Sequence, residues 1–212
     1  ATIGENIFIE KYIRRVLSED KDSLKQTKKI FTNLNKDYQK YIKELSISEK
    51  IVINKHLNNY LFIGFILLSI PKAKIIYNIR DAADNCLSIF KQFFIGVNYS
   101  SRISHIAMEY SNHQHIMSFW KSIYKDKILD ISYEELVSDP NRSSTKIYDF
   151  LCTKMEYNEE KRKDYFSETA SQFQVRKQIY KTSVGNKNKY LEISAMFEKD
   201  ILLQQEFWKK KS

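Results

Sequence analysis

Apolar residues recur at helical spacing almost from the start of the chain. Phe8, Tyr12, Ile13, Val16 and Leu17 mark one face of a short helix, which the polar run SEDKD at 18–22 interrupts. A longer helix is predicted over about residues 23–45. Its stripe comprises Leu24, Phe31, Leu34, Tyr38, Tyr41, Ile42 and Leu45, with Lys, Gln and Asn on the other face, and such a stripe belongs to a core. Next come a short apolar stretch, IVIN at 51–54, a buried helix over 59–70, and a strand, AKIIYNI, at 73–79. The pattern continues with a helix over about 82–94, a helix over about 104–124, a strand, KILDIS, at 127–132, and further helices. Strands separated by helices of this length imply an α/β fold: a single three-layer domain with a central parallel sheet flanked by helices. Three strands are few for such a sheet, and another strand before residue 1 would complete it.

Composition narrows the class. The 212 residues suit one domain, and four glycines and two prolines leave little room for linkers or low-complexity sequence. The apolar run YLFIGFILLSI at 60–70 is far short of the ~20 residues needed to cross a bilayer. No signal peptide is visible, although the chain starts at Ala1 and not at Met, so a segment is expected upstream. Thirty-five Lys and Arg against 26 Asp and Glu give a formal net charge of +9, which favours an anionic partner without naming it. Cys86 and Cys152 each lie within an apolar helical pattern; buried free thiols are expected rather than a disulfide, which points to a reducing, cytoplasmic compartment.

The candidate chemistry starts at residues 75–88, IIYNIRDAADNCLS. Ligands of open parallel sheets bind at the carboxyl ends of strands, and Arg80 falls at such an end. Asp81 is placed to cap the following helix, with Asp84 three residues on in a capping-box-like arrangement. Within that helix Ala83, Leu87, Phe90 and Phe94 form an inward stripe, while Asp84, Ser88, Lys91 and Gln92 share a polar side. A guanidinium at the strand end and the Ser88 hydroxyl on the helix flank can meet one phosphate. Equally, Arg80 can pair with a nearby carboxylate and Ser88 can be an ordinary polar-face residue. His105, His113 and His115 do not make a metal site: two-residue spacing on a helix separates side chains, and no ligand set completes the spacing. Gly185 lacks the glycine pattern of a dinucleotide loop.

The stretch resembles the strand-turn-helix of sulfotransferases that use 3'-phosphoadenosine 5'-phosphosulfate, particularly the branch of the tyrosylprotein sulfotransferases and their bacterial relatives. There the pattern is RDPxDxxLS, and the resemblance assigns binding of the donor's 3'-phosphate to Arg80 and Ser88. Four further segments follow in family order. IGENIFIEKYIRRVL resembles the GxGE segment, whose glutamate is the general base, which implicates Glu5. INKHLNNYLFIGFILLSIPKAK resembles DKMPxNxxYIGLIxxxFPxAK, whose lysine contacts the transferring group, here Lys55. ISYEELVSDP resembles VRYEDLVxDP and makes Tyr133 a donor contact. SQFQVRKQIYKTSVGNKNKY is similar to the SxxQVRxPIYxSSVGRWxxY loop that closes over the nucleotide, which places Ser171, Gln174 and Lys177 near the donor. Departures are Ala82 for Pro, His56-Leu57 for Met-Pro, and Asn186-Lys187 for Arg-Trp, with Lys187 standing in for the lost arginine. In the family a PxSGT-type loop for the 5'-phosphosulfate precedes the GxGE segment, so that loop is expected before Ala1.

The resemblance implies transfer of a sulfuryl group to a hydroxyl, on a protein tyrosine or a carbohydrate. Glu5 takes the proton of the acceptor, Lys55 and Ser171 meet the charge that develops on the transferring group, and no metal is required. The implied partners are a nucleotide donor and a hydroxyl acceptor, without nucleic acid or a membrane span in this chain. A eukaryotic chain of this kind would work in the Golgi lumen. Two other readings stay open: a catalytically silent relative, and a basic protein that binds nucleic acid or a partner through the lysine-rich helix at 23–45.

Overall fold

The computed structural model describes residues 1–19, 23–92, 94, 97–154 and 183–211. These fall into two compact units, residues 1–75 and residues 76–154 with 183–211.

The first unit is built from α1 (Phe8–Ser18), α2 (Ser23–Glu44), a 3-10 segment (Leu57–Phe62) and α3 (Ile63–Ser69). Ile9, Tyr12, Ile13 and Val16 of α1 pack on Ile30, Leu34, Tyr38 and Ile42 of α2, and Phe62 and Ile66 close the cluster. The buried row on α2 therefore differs from the predicted stripe. It follows the i, i+4 ridge 26–30–34–38–42, which brings Gln26 and Ile30 inside and leaves Leu24 75% and Leu45 43% exposed. Phe31 and Tyr41 flank this ridge against Phe65 and Phe8, with ring centroids 5.7 and 4.5 Å apart. The run predicted as a buried helix at 59–70 begins as the tighter 3-10 segment, and Leu61 and Leu68 stay on its outer side.

IVIN at 51–54 pairs with the first residues of the chain. Thr2 and Ile53 form a parallel bridge, Ile3 N–H donates to Ile53 O (2.9 Å), Ile53 N–H to Ala1 O (2.8 Å) and Lys55 N–H to Gly4 O (2.9 Å). Gly4 then turns the chain at φ +60, in the left-handed region where a side chain is strained although no atom crowds the position.

In the second unit β1 (Ile75–Ile79) pairs with β2 (Ile128–Ser132) in a parallel two-stranded sheet flanked by helices, as an α/β fold requires. Between them run α4 (Ala82–Lys91) and α5 (Ile103–Ile123); after β2 come α6 (Tyr133–Ser138), α7 (Pro140–Leu151), a 3-10 turn (Asn186–Lys189) and α8 (Leu191–Lys209). Cys86 and Leu87 of α4, Ile106 and Ala107 of α5, and Phe197 and Ile201 of α8 form its core. Cys86 thus replaces Phe90, which is 37% exposed, in the predicted inward stripe, and α4 ends before Phe94 because Gln92 is extended. Burial pushes the Cys86 thiol up to about 12, with Asp81 adding to the effect. Cys152, expected to be buried, is exposed: it is the left-handed residue that ends α7, and a helix end faces solvent. No helix among the described residues is long and apolar enough to cross a membrane.

The ridge on α2 predicts unequal costs. Leu34→Ala is expected to destabilise the protein by about 3 kcal/mol, through lost burial and a cavity. Leu24→Ala is expected to cost less than about 0.5 kcal/mol in the same urea titration.

Candidate functional site

Five of the residues picked out from sequence lie in two clusters, one in each unit. In the first unit the parallel pairing of residues 1–4 with 51–55 puts Glu5 and Lys55 side by side, and their side chains form an ion pair. Both are well exposed, the lysine at 54% and the glutamate at 40% of the side chain, so the pair meets solvent and can exchange partners at little cost.

The same unit holds a more enclosed carboxylate that sequence reasoning missed. Glu10 of α1 takes a hydrogen bond from Arg14 Nε (2.7 Å) on one oxygen; on the other it meets His56 Nε2 (2.5 Å) and Asn58 Nδ2 (3.1 Å). Burial opposes its ionisation, but donors from His56, Asn58 and Arg14 outweigh that penalty and hold the carboxyl down at about 2. Glu10 and His56 are 46 residues apart, so no local motif announces the pair.

In the second unit the sheet delivers Arg80 to the end of β1. Its guanidinium lies over the Tyr133 ring, 4.8 Å from the centroid, and Nη2 donates to Ser183 O (2.6 Å). Its buried Nε has no hydrogen-bond partner among the described residues. No Arg80–carboxylate ion pair occurs among them, although Glu134 is near. Burial raises the Glu134 pKa, but hydrogen bonds from Asp81 N–H and Ser132 and the charge of Arg80 together bring it below the usual carboxylate range. Tyr133 stands at the first position of α6, directly after the Ser132 cap, and therefore meets the strand end where Arg80 emerges.

Asp81 caps α4 as expected, accepting from Asp84 N–H (3.0 Å). The return half of a capping box is absent. Glu134 takes the Asp81 N–H (2.9 Å), and Asp84 turns elsewhere. Only 2% exposed rather than on a polar face, Asp84 accepts Gly185 N–H and Lys187 N–H on its two oxygens, each at 2.6 Å. Gly185, at φ +73, makes the turn that aims both amides at one carboxylate. Lys187 Nζ donates to Asp81 Oδ2 (2.6 Å). Burial works against the Asp81 charge, but Lys187 and the Asp84 amide lower its pKa, and the same contact raises that of Lys187. Ser88 is half-buried on α4, two turns in from the cap. Ser171, Gln174 and Lys177 lie outside the described residues. Of the histidines, His113 packs against the Tyr77 ring and His115 stacks on Trp208 at 4.1 Å between centroids. Burial lowers the pKa of His113.

A strand-end guanidinium beside an aromatic ring, at the start of a capped helix, can hold an anion attached to a ring system. The chain matches the model of the sulfotransferase family over residues 9–157, and it belongs to that family. It is also 26% identical over 162 residues to an uncharacterized protein of Aquifex aeolicus, a match covering 72% of this chain and 21% of that protein. The chain thus spans about a fifth of the length of that relative.

Two outcomes test these arrangements. Asp84→Asn keeps one acceptor but turns an amide N–H toward a backbone N–H. It is expected to cost about 2 kcal/mol in chemical denaturation and to speed amide exchange at Gly185 and Lys187. Glu10, lowered from an ordinary 4.5 to about 2, contributes stability that is complete above about pH 4.5 and disappears as pH falls through about 2. Melting temperatures of Glu10→Gln are therefore expected to fall less steeply than those of the wild type across that window.

Proposed function

We propose that this sulfotransferase-family chain moves a sulfuryl group from 3'-phosphoadenosine 5'-phosphosulfate to a hydroxyl acceptor, a protein tyrosine or a carbohydrate. The observation that carries the reading is Arg80. One face of its guanidinium is covered by Tyr133, one amine is spent on Ser183 O, and its Nε is buried without a partner among the described residues. An unsatisfied buried donor costs about 1–3 kcal/mol when neutral and more on a cation, and a phosphate oxygen would remove that cost. Arg80 and Ser88 receive the donor's 3'-phosphate in this reading, and Tyr133 lies against the nucleotide. Lys187, held by Asp81, adds positive charge to the same strand end. Gln174 and Lys177 complete the nucleotide contacts.

The chemistry falls to Glu5, Lys55 and Ser171. The acceptor oxygen attacks sulfur, a new S–O bond forms, and the bond from sulfur to the 5'-phosphate oxygen breaks with its electron pair leaving on the nucleotide. Glu5 takes the hydroxyl proton. Lys55 and Ser171 stabilise the charge on the sulfuryl and leaving oxygens. The Glu5–Lys55 pair suits this sequence of events: when the donor's oxygens draw the ammonium away, the carboxylate is released to accept a proton. The products are a sulfate ester and adenosine 3',5'-bisphosphate. None of these steps needs a metal.

Titration calorimetry of the full-length protein with adenosine 3',5'-bisphosphate tests the reading. Arg80→Ala is expected to weaken binding by about a hundredfold, as for loss of a charge-assisted contact. Glu5→Gln and Lys55→Ala are expected to bind normally and to lose transfer of labelled sulfate. Absence of binding by the wild type, or equal binding by Arg80→Ala, would overturn it.

A further inference from the structure

Lys55 and His56 are neighbours on an extended backbone, with His56 at φ −135 and ψ 132. Successive side chains of such a segment point to opposite sides. The His56 side chain accordingly turns inward, 14% exposed, against Glu10, and that of Lys55 turns outward, 54% exposed, to Glu5. Lys55 has one backbone anchor, its N–H on Gly4 O. That bond is the last of the pairing between residues 1–4 and 51–55, and it is the first point that fixes Lys55 itself.

The second point is the imidazole. Glu10 gathers donors from α1 (Arg14), from His56, and from the first turn of the 3-10 segment (Asn58). With its carboxyl held down at about 2 it is an acceptor only at neutral pH, so the imidazole carries its hydrogen on Nε2 and donates to Oε2. The sulfotransferase pattern has Met at this place, and a thioether cannot donate.

We infer that His56, locked to Glu10, is a positioning residue that aims Lys55 at Glu5 and at the transferring group. The lysine stem is flexible, so orientation of its backbone root decides how much of the time the ammonium is in place. The consequence for transfer rests on the role proposed above for Lys55, whereas the tether itself does not.

The experiment separates the two. Brief acetylation of the full-length protein with acetic anhydride, read by mass spectrometry, gives the reactivity of Lys55 relative to exposed Lys36. In His56→Met the relative reactivity of Lys55 is expected to rise about threefold, as for release of a partly exposed ion pair. His56→Gln, which keeps a donor, is expected to restore much of the protection, and Glu10→Gln to move in the same direction as His56→Met. In the transfer assay, with kcat referred to the folded fraction counted by titration with adenosine 3',5'-bisphosphate, His56→Met is expected to lower kcat about tenfold with the KM for donor unchanged, a loss per folded molecule that reduced stability alone does not produce. Unchanged Lys55 reactivity in folded His56→Met and Glu10→Gln overturns the tether. Raised reactivity with unchanged kcat overturns its part in transfer. Raised reactivity in a protein whose wild type transfers no sulfate upholds the tether and overturns instead the function proposed for the chain.

Discussion

The second unit depends on one buried carboxylate. Asp84 is almost sealed from solvent, and a charge there is tolerable only because two backbone amides meet it at short range. Those amides come from a segment a hundred residues further along, so the ion that α4 must satisfy also holds the 183–189 turn on that helix. Arg80 and Lys187 owe their surroundings to this contact. Ser183 O reaches the guanidinium and Lys187 Nζ reaches Asp81 because Gly185 and Lys187 are already fixed. Charge is thus stacked at the end of β1 in alternating sign, Arg80, Asp81, Lys187 and Asp84, and each member is held by a hydrogen bond rather than by attraction alone.

The first unit solves a similar problem with a different carboxylate. Glu10 meets three donors and connects α1 to the segment after the parallel bridge, and the exposed Glu5–Lys55 pair begins one residue earlier on that segment, at Lys55. A saturated inner ion and an exchangeable outer one divide the work. The inner carboxylate gives rigidity, and the outer pair can change partners.

Much of this was legible in the sequence wherever the signal was local. The strand ending at Ile79, the Asp81 cap and the start of α4 follow from apolar alternation and capping chemistry within a dozen residues. The ordered segments quoted above identified the sulfotransferase family, which the family match over residues 9–157 bears out. Failures came where helix packing chose between neighbouring faces. On α2 the crossing with α1 selects the 26–30–34–38–42 ridge, and periodicity alone could not tell that ridge from one displaced toward Leu24 and Leu45. Asp84 was read as a capping partner because the N–H groups that claim it are invisible from its own helix.

The sequence by itself determined the order of helices and strands, the parallel character of the sheet, the family, and which residue types stand at the strand end. These follow from spacing, turn chemistry and motif, all properties of neighbours along the chain. Only the tertiary structure decided which carboxylates are wholly or partly withdrawn from solvent and what satisfies them: Asp84 by Gly185 and Lys187, Glu10 by His56, Asn58 and Arg14, Asp81 by Lys187. The reason is physical. Removing a charge from water is costly, so its donors are recruited from whatever backbone or side chain the fold brings within hydrogen-bonding distance, and sequence distance plays no part in that choice.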